Sequence, residues 1–172
     1  GLGGGYQPIG GILVNDRVLA PLRDGTGGFM HGHTYQAHPL ACAAAVAVQE
    51  VIRAENLLAN VQAMGARLEQ GLTERLGNHA HVGDIRGRGL FWAVELVADR
   101  STKAVFDPAL RMNERVKQAA YARGLGCYPM GGTIDGRQGD HVILAPPYNV
   151  TEAEMEMILD RFAAALREAL GG

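Results

Sequence analysis

Gly89-Leu90-Phe91-Trp92-Ala93-Val94-Glu95-Leu96-Val97 reads as a β-strand, and the segments that follow it decide the fold class. Aromatic and aliphatic residues dominate it, and a glycine opens it. Downstream, Asp107-Pro108 supplies a cap and a first-turn proline for a helix running to about Arg123 and stopping at Gly124. Gly126 to Met130 and His141 to Ala145 read as two further strands, the second ended by Pro146-Pro147. Thr151-Glu152-Ala153-Glu154 is a capping box, and Met155, Ile158, Leu159, Phe162, Leu166 and Leu170 after it form one apolar helical stripe. Strand, helix, strand, strand, helix from about Val82 onward describes a compact α+β unit.

Upstream of that unit the pattern is helical. Pro39 suits a first-turn position, Ala41 to Ala47 is alanine-rich, and Leu57, Val61, Met64, Leu68, Leu72 and Leu76 recur at helical spacing before Gly77. The run is long for one globular helix, so a break is expected near Glu55-Asn56, and a helix of this length suits a bridge between two domains. Nearer the start, Ile12-Leu13-Val14 and Val18-Leu19 around Asn15-Asp16-Arg17 read as a short hairpin or a strand with a turn. Asp24 to Gly28 is a loop by composition, and Phe29 to Tyr35 has strand-like residues around Gly32. The first eighty residues do not make a self-sufficient domain. The expected division is therefore 1–54, the end of one domain with the start of the bridging helix, and 55–172, the rest of that helix with the α+β unit.

Composition excludes several function classes. The 172 residues are 47% hydrophobic and 20% charged with a net charge of −2, which suits an ordinary soluble protein and offers nucleic acid no basic surface. No apolar run reaches membrane-spanning length, and the start lacks a signal-peptide pattern. Cys42 and Cys127 match no metal or redox spacing and suit buried thiols in a reducing compartment, so a cytoplasmic protein is expected.

Glycine is the compositional outlier, and it clusters in Gly1-Leu2-Gly3-Gly4-Gly5-Tyr6-Gln7-Pro8-Ile9-Gly10-Gly11. A dinucleotide fingerprint fails because Tyr6 stands where its third glycine belongs, and no Gly-Lys-Ser/Thr follows for a P-loop. Taken alone, the run is a flexible leader or a loop serving chemistry held elsewhere. His31, His33 and His38 are close in sequence, but Asp24 is the sole nearby acid, an incomplete ligand set, so no metal is expected. Lys103 and Lys117, the only two lysines, stand among polar and charged neighbours and read as solvated rather than nucleophilic.

Four segments taken in order carry a resemblance. They are Gly1 to Gly10; His31-Gly32-His33-Thr34-Tyr35-Gln36-Ala37-His38-Pro39 opening an alanine-rich helix; Asp84-Ile85-Arg86-Gly87-Arg88-Gly89-Leu90; and Gly139-Asp140-His141-Val142-Ile143-Leu144-Ala145-Pro146-Pro147. Together they resemble the C-terminal half of a class III aminotransferase, a pyridoxal-phosphate enzyme of fold type I, of the ω-transaminase kind. The resemblance covers essentially the whole chain. It implies an α/β parent in which this chain is the end of the large domain, a long bridging helix and an α+β C-terminal small domain.

The resemblance also implies pyridoxal 5'-phosphate as cofactor, amine or amino acid and keto acid as substrates, and a homodimer with shared active sites. The family's Schiff-base lysine stands immediately before the Gly-Leu-Gly-Gly-Gly-Tyr segment, a position that would precede Gly1, so no catalytic residue is expected within these residues. Either the chain is broken at a lysine carrying covalent cofactor, or it is a truncation. Two cofactor-binding positions transfer. Thr34 matches a threonine whose hydroxyl and N–H reach the cofactor phosphate of the neighbouring subunit, and His33 supplies the adjacent N–H; the alternative for Thr34 is a cap on the Pro39 helix. Arg137 matches a mobile arginine that pairs with a substrate carboxylate; the alternative is a solvated loop arginine. Decarboxylating transaminases, aminomutases and racemases share these residues, and a non-catalytic binding module is the rival of another class.

Overall fold

The computed structural model describes residues 1–171, which divide into two compact units, one of residues 1–56 and one from Leu57 onward. In the first unit, helices α1 (Asp16–Asp24) and α2 (Pro39–Ala54) are joined by turns. The Asn15 side chain accepts a hydrogen bond from Val18 N–H and Asp16 sits in the first turn, so the segment read as a hairpin is a capped helix. Phe29 to Tyr35 is likewise not a strand. A strand exists by pairing, and the described residues of this unit hold no other strand to pair with it.

The opening glycines form a turn seated on α2. Tyr6 N–H donates to Gly3 O at 3.0 Å, Gln49 Nε2 donates to Leu2 O at 3.1 Å, and Gly4, with φ of 58°, lies against Val48. A Cβ on Gly3 would lie 2.7 Å from Ile9 Cγ2. Glycine is needed there for close approach, which is not the behaviour of a flexible leader.

The helical run breaks where the sequence places the break. Glu55 closes α2, Asn56 takes φ of 50°, and α3 (Leu57–Leu76) begins the second unit. Gly77 ends α3 by donating its N–H to Thr73 O at 2.8 Å. The chain then enters a hairpin, β1 (Val82–Arg88) and β2 (Phe91–Leu96), followed by a short 3-10 turn at Pro108–Leu110, helix α4 (Met112–Ala122), strands β3 (Tyr128–Gly131) and β4 (Asp140–Leu144), and helix α5 (Glu152–Leu170). The sheet is antiparallel throughout, in the order β1-β2-β4-β3. Gly89 and Leu90 belong to the β1–β2 turn, so the strand read from Gly89 starts two residues later. Asp107 caps the 3-10 turn rather than α4, because Arg111 adopts a left-handed conformation between them.

Alternation along the strands sends one face into the core. Trp92, Val94 and Leu96 of β2 and Val142 and Leu144 of β4 are buried against Leu68, Leu72 and Leu76 of α3, Val116 and Ala120 of α4, and Met155, Leu159, Phe162 and Leu166 of α5. Helix α5 packs on α3 and α4, and α4 packs on β3 and β4. Both hydrogen bonds of the Thr151–Glu154 capping box are formed. Arg86 pairs with Asp84 at 2.7 Å and with Glu95 at 3.6 Å, which ties β1 to β2 on the outer face. No helix among the described residues is long and apolar enough to cross a membrane.

Among the described residues, one buried side-chain nitrogen has no partner. His79, after α3, uses Nδ1 to accept from His81 N–H at 3.2 Å, so its neutral ring carries hydrogen on Nε2, which is buried without an acceptor. Burial, then the charges of His81 and Arg167, lower its pKa from the ordinary 6.5. The folded state therefore favours the neutral ring. Its contribution to stability is intact above about pH 6.5 and is lost as the pH falls from there through the folded pKa. Thermal melts of the full-length protein between pH 7.5 and pH 5 are expected to show a falling Tm, with a smaller fall in His79→Gln. Parallel curves for the two proteins would contradict this.

Candidate functional site

The first candidate lies in the turns leading into α2. Gln36 N–H donates to His33 O at 2.9 Å and His38 N–H donates to Tyr35 O at 3.2 Å, with Ala37 at φ of 55° between them. The N-cap of α2 is His38, whose Nδ1 accepts from Ala41 N–H at 3.4 Å. Thr34 therefore does not cap the helix. It is exposed, and neither its hydroxyl nor its N–H donates to any described residue. The His33 N–H is equally free, while its ring Nε2 lies 3.2 Å from His31 Nε2. Two adjacent N–H groups and a hydroxyl, held by consecutive turns at the entrance to a helix, suit a phosphate. Among the described residues no three His, Cys, Asp or Glu side chains converge as metal ligands.

The second candidate, Arg137, lies in the other unit, at the tip of the loop joining β3 to β4. The glycines of Gly132-Thr133-Ile134-Asp135-Gly136-Arg137-Gln138-Gly139 suit mobility and plain exposure equally, and the backbone of the loop is closely cross-linked. Thr133 N–H donates to Gly139 O at 3.2 Å, Ile134 N–H to Gln138 O at 3.0 Å and Gly136 N–H to Gly132 O at 3.0 Å. Gly132, Gly136 and Gly139 all take positive φ, and a Cβ on Gly132 would lie 2.8 Å from the Gly136 backbone. Asp135 Oδ1 accepts from the N–H groups of Gln138 at 2.7 Å and Arg137 at 2.8 Å, and these bonds lower its pKa. That carboxylate serves the turn rather than the guanidinium. Arg137 forms no ion pair among the described residues, so its charge is free for an external anion.

Three residues that frame this loop have contacts that residue order does not reveal. Thr133 Oγ1 lies 2.7 Å from His141 Nδ1 across the hairpin. Asp140 is 8% exposed, and its Oδ1 accepts from Asn113 N–H at 3.3 Å. It thereby caps α4, whose own N-cap residue Arg111 makes no capping bond. Burial raises the Asp140 pKa, opposed by that backbone bond and by His141.

Of the other reactive side chains, Cys42 is exposed on α2, not buried as its spacing suggested, and Cys127 is half-buried. Lys103 is exposed and donates to Gly83 O, and Lys117 is exposed on α4. Burial pushes the Cys127 thiol up to about 11, which leaves it inert.

Residues 1–166 match the family model described as aminotransferase class-III. The chain belongs to this family. An aminotransferase of Gibberella zeae is 43% identical over 172 residues, which is 99% of this chain and 34% of that protein. An (S)-enantioselective ω-transaminase from Thermomicrobium roseum superposes with a TM-score of 0.87 at 35% identity, over 99% of this chain and 36% of that structure. An amine transaminase from an uncultivated Pseudomonas species, solved in its PLP-bound form, superposes with a TM-score of 0.85 at 34% identity, over 98% of this chain and 37% of that structure. This class-III aminotransferase chain thus spans about a third of the length of the curated relatives it matches. Its mixed α/β architecture is consistent with the C-terminal small domain of fold type I aminotransferases.

Proposed function

We propose that the complete polypeptide containing these residues is a pyridoxal-phosphate-dependent transaminase, exchanging an amino group between an amine or amino acid and a keto acid. Residues 1–54 are the end of its large domain with the start of the bridging helix, and residues 55–172 are the rest of that helix with its small domain. When bound, pyridoxal phosphate supplies the electron sink for charge developing at the donor's Cα. The residues of this chain hold the anionic ends of the reactants. Thr34 donates its hydroxyl and N–H to the cofactor phosphate, and His33 adds a second N–H. Because the resemblance assigns these donors to the neighbouring subunit's cofactor, the working form is a homodimer. Arg137 takes the substrate carboxylate with its two-pronged guanidinium.

The observation that carries this reading is the unused donor set at Thr34 in a chain of this family: His38 already caps α2, so the hydroxyl has no structural duty. The reacting amine belongs to a lysine outside these residues, since Lys103 and Lys117 are both exposed and in polar surroundings. The 172 residues alone are therefore expected to be inactive. The test is to mix pyridoxal phosphate with the complete protein and with the isolated chain, reduce with borohydride and weigh each. Cofactor mass on a lysine of the complete protein, together with amino transfer to pyruvate, is the expected result. Cofactor fixed on Lys103 or Lys117, or a complete protein that takes up none, would overturn the reading.

A further inference from the structure

The hairpin loop around Arg137 is held by backbone bonds at its neck and by Asp135 at its tip, but one side-chain bond anchors it to strand β4. Thr133 Oγ1 sits 2.7 Å from His141 Nδ1 and 3.3 Å from Gly139 O. A hydroxyl has one proton and two acceptor sites. When His141 Nδ1 carries hydrogen it donates to Oγ1, and the hydroxyl donates to Gly139 O. When Nδ1 is bare, the hydroxyl donates to Nδ1, and Gly139 O keeps the N–H of Thr133 at 3.2 Å. The Thr133–His141 bond can form whichever of the two groups donates, so the geometry makes it a latch between the loop and β4.

The latch matters because of what lies on each side of it. His141 stands in the sheet, with Glu95 of β2 and Met130 of β3 as its register partners. Its neighbour Asp140 holds the start of α4. Thr133 is the second residue of the loop, and Arg137 is four residues further on. We propose that Thr133 and His141 are positioning residues for Arg137: they fix the Cα of the arginine relative to the sheet, so that only its side chain must be ordered when a carboxylate arrives. Fixing the frame beforehand removes part of the ordering cost from binding. This proposal rests on the carboxylate-binding reading of Arg137.

The test follows the half-reaction of the complete holoenzyme with donor alone, by the change in its visible cofactor band. L-alanine carries a carboxylate, and 1-phenylethylamine carries none. Arg137→Ala establishes the parent reading by weakening the apparent Kd for L-alanine without weakening that for 1-phenylethylamine. Thr133→Val, which keeps the shape and removes the hydroxyl, is expected to raise the apparent Kd for L-alanine about three- to tenfold, with the amine and the limiting rate unchanged. Thr133→Ser should restore wild-type values, and His141→Leu should reproduce Thr133→Val from the other side of the latch. In an Arg137→Ala background, Thr133→Val should add nothing.

If Arg137→Ala impairs L-alanine binding and Thr133→Val does not, the latch is wrong and the arginine reading stands. If Arg137→Ala has no effect, both fall. An effect of Thr133→Val on both donors alike, or one that persists without Arg137, marks a merely structural threonine and overturns the proposal.

Discussion

Replacing Arg137 with alanine in the complete protein is expected to raise the KM for an amino acid donor about 10- to 100-fold, while a carboxylate-free amine is turned over as before. The selectivity follows from where the guanidinium stands. No described acid pairs with it, and Asp135, two residues before it in the chain, has its Oδ1 occupied by the N–H groups of Arg137 and Gln138. Removing Arg137 therefore breaks no internal ion pair, and the fold should be untouched. The loss appears only when a carboxylate must be held. Arg137→Lys keeps the charge without the fork and should recover part of the affinity. Because Arg137 is exposed, added salt should narrow the wild-type preference for carboxylated donors. Steady-state kinetics with the two donor classes at two ionic strengths measure all of this. Equal losses on both classes would remove Arg137 from substrate binding.

Some of this architecture is legible in the sequence because the signals are local. The Thr151–Glu154 capping box, the break at Glu55-Asn56 and the stop at Gly77 each depend on residues within one helical turn, and each is formed. Strand β1 is not legible, since Val82-Gly83-Asp84-Ile85-Arg86-Gly87-Arg88 holds two glycines and three charges; it becomes a strand by pairing with β2. Helix α1 carried both a cap residue, Asn15, and a first-turn acid, Asp16, but Ile12-Leu13-Val14 ahead of them spoke for a strand. The described chain gives those three residues no neighbour to pair with, and they stay exposed.

The candidate site divides in the same way. Thr34 and Arg137 could be named from residue order, whereas their surroundings could not. That Thr34 is free of capping duty depends on His38 turning its ring back to Ala41. That the Arg137 loop is cross-linked along its backbone depends on three glycines with positive φ, which composition alone leaves open between mobility and plain exposure. Thr133 and His141 are eight residues apart, and only the hairpin register brings Oγ1 to Nδ1.

Thr34→Val should loosen the cofactor about ten- to hundredfold in the complete protein, the loss expected when a hydrogen bond to a charged group, worth about 1.5–3 kcal/mol, is removed. Valine keeps the shape and the backbone N–H, so the change isolates the hydroxyl. Since that hydroxyl has no partner among the described residues, the variant should fold as well as the parent. Thr34→Ser should restore binding. Pyridoxal without its phosphate supplies the control: if the lost donor serves the phosphate alone, it should bind parent and variant equally. Equal weakening for both forms of the cofactor would mean that Thr34 acts on the pocket generally. A mixed dimer with one Thr34→Val subunit then asks which cofactor the threonine serves. After partial cofactor removal and borohydride reduction, the mass of each subunit shows which lysine kept its cofactor. Loss from the unaltered subunit is expected if Thr34 reaches across the dimer; loss from the altered one would assign Thr34 to its own site and end the shared-site reading.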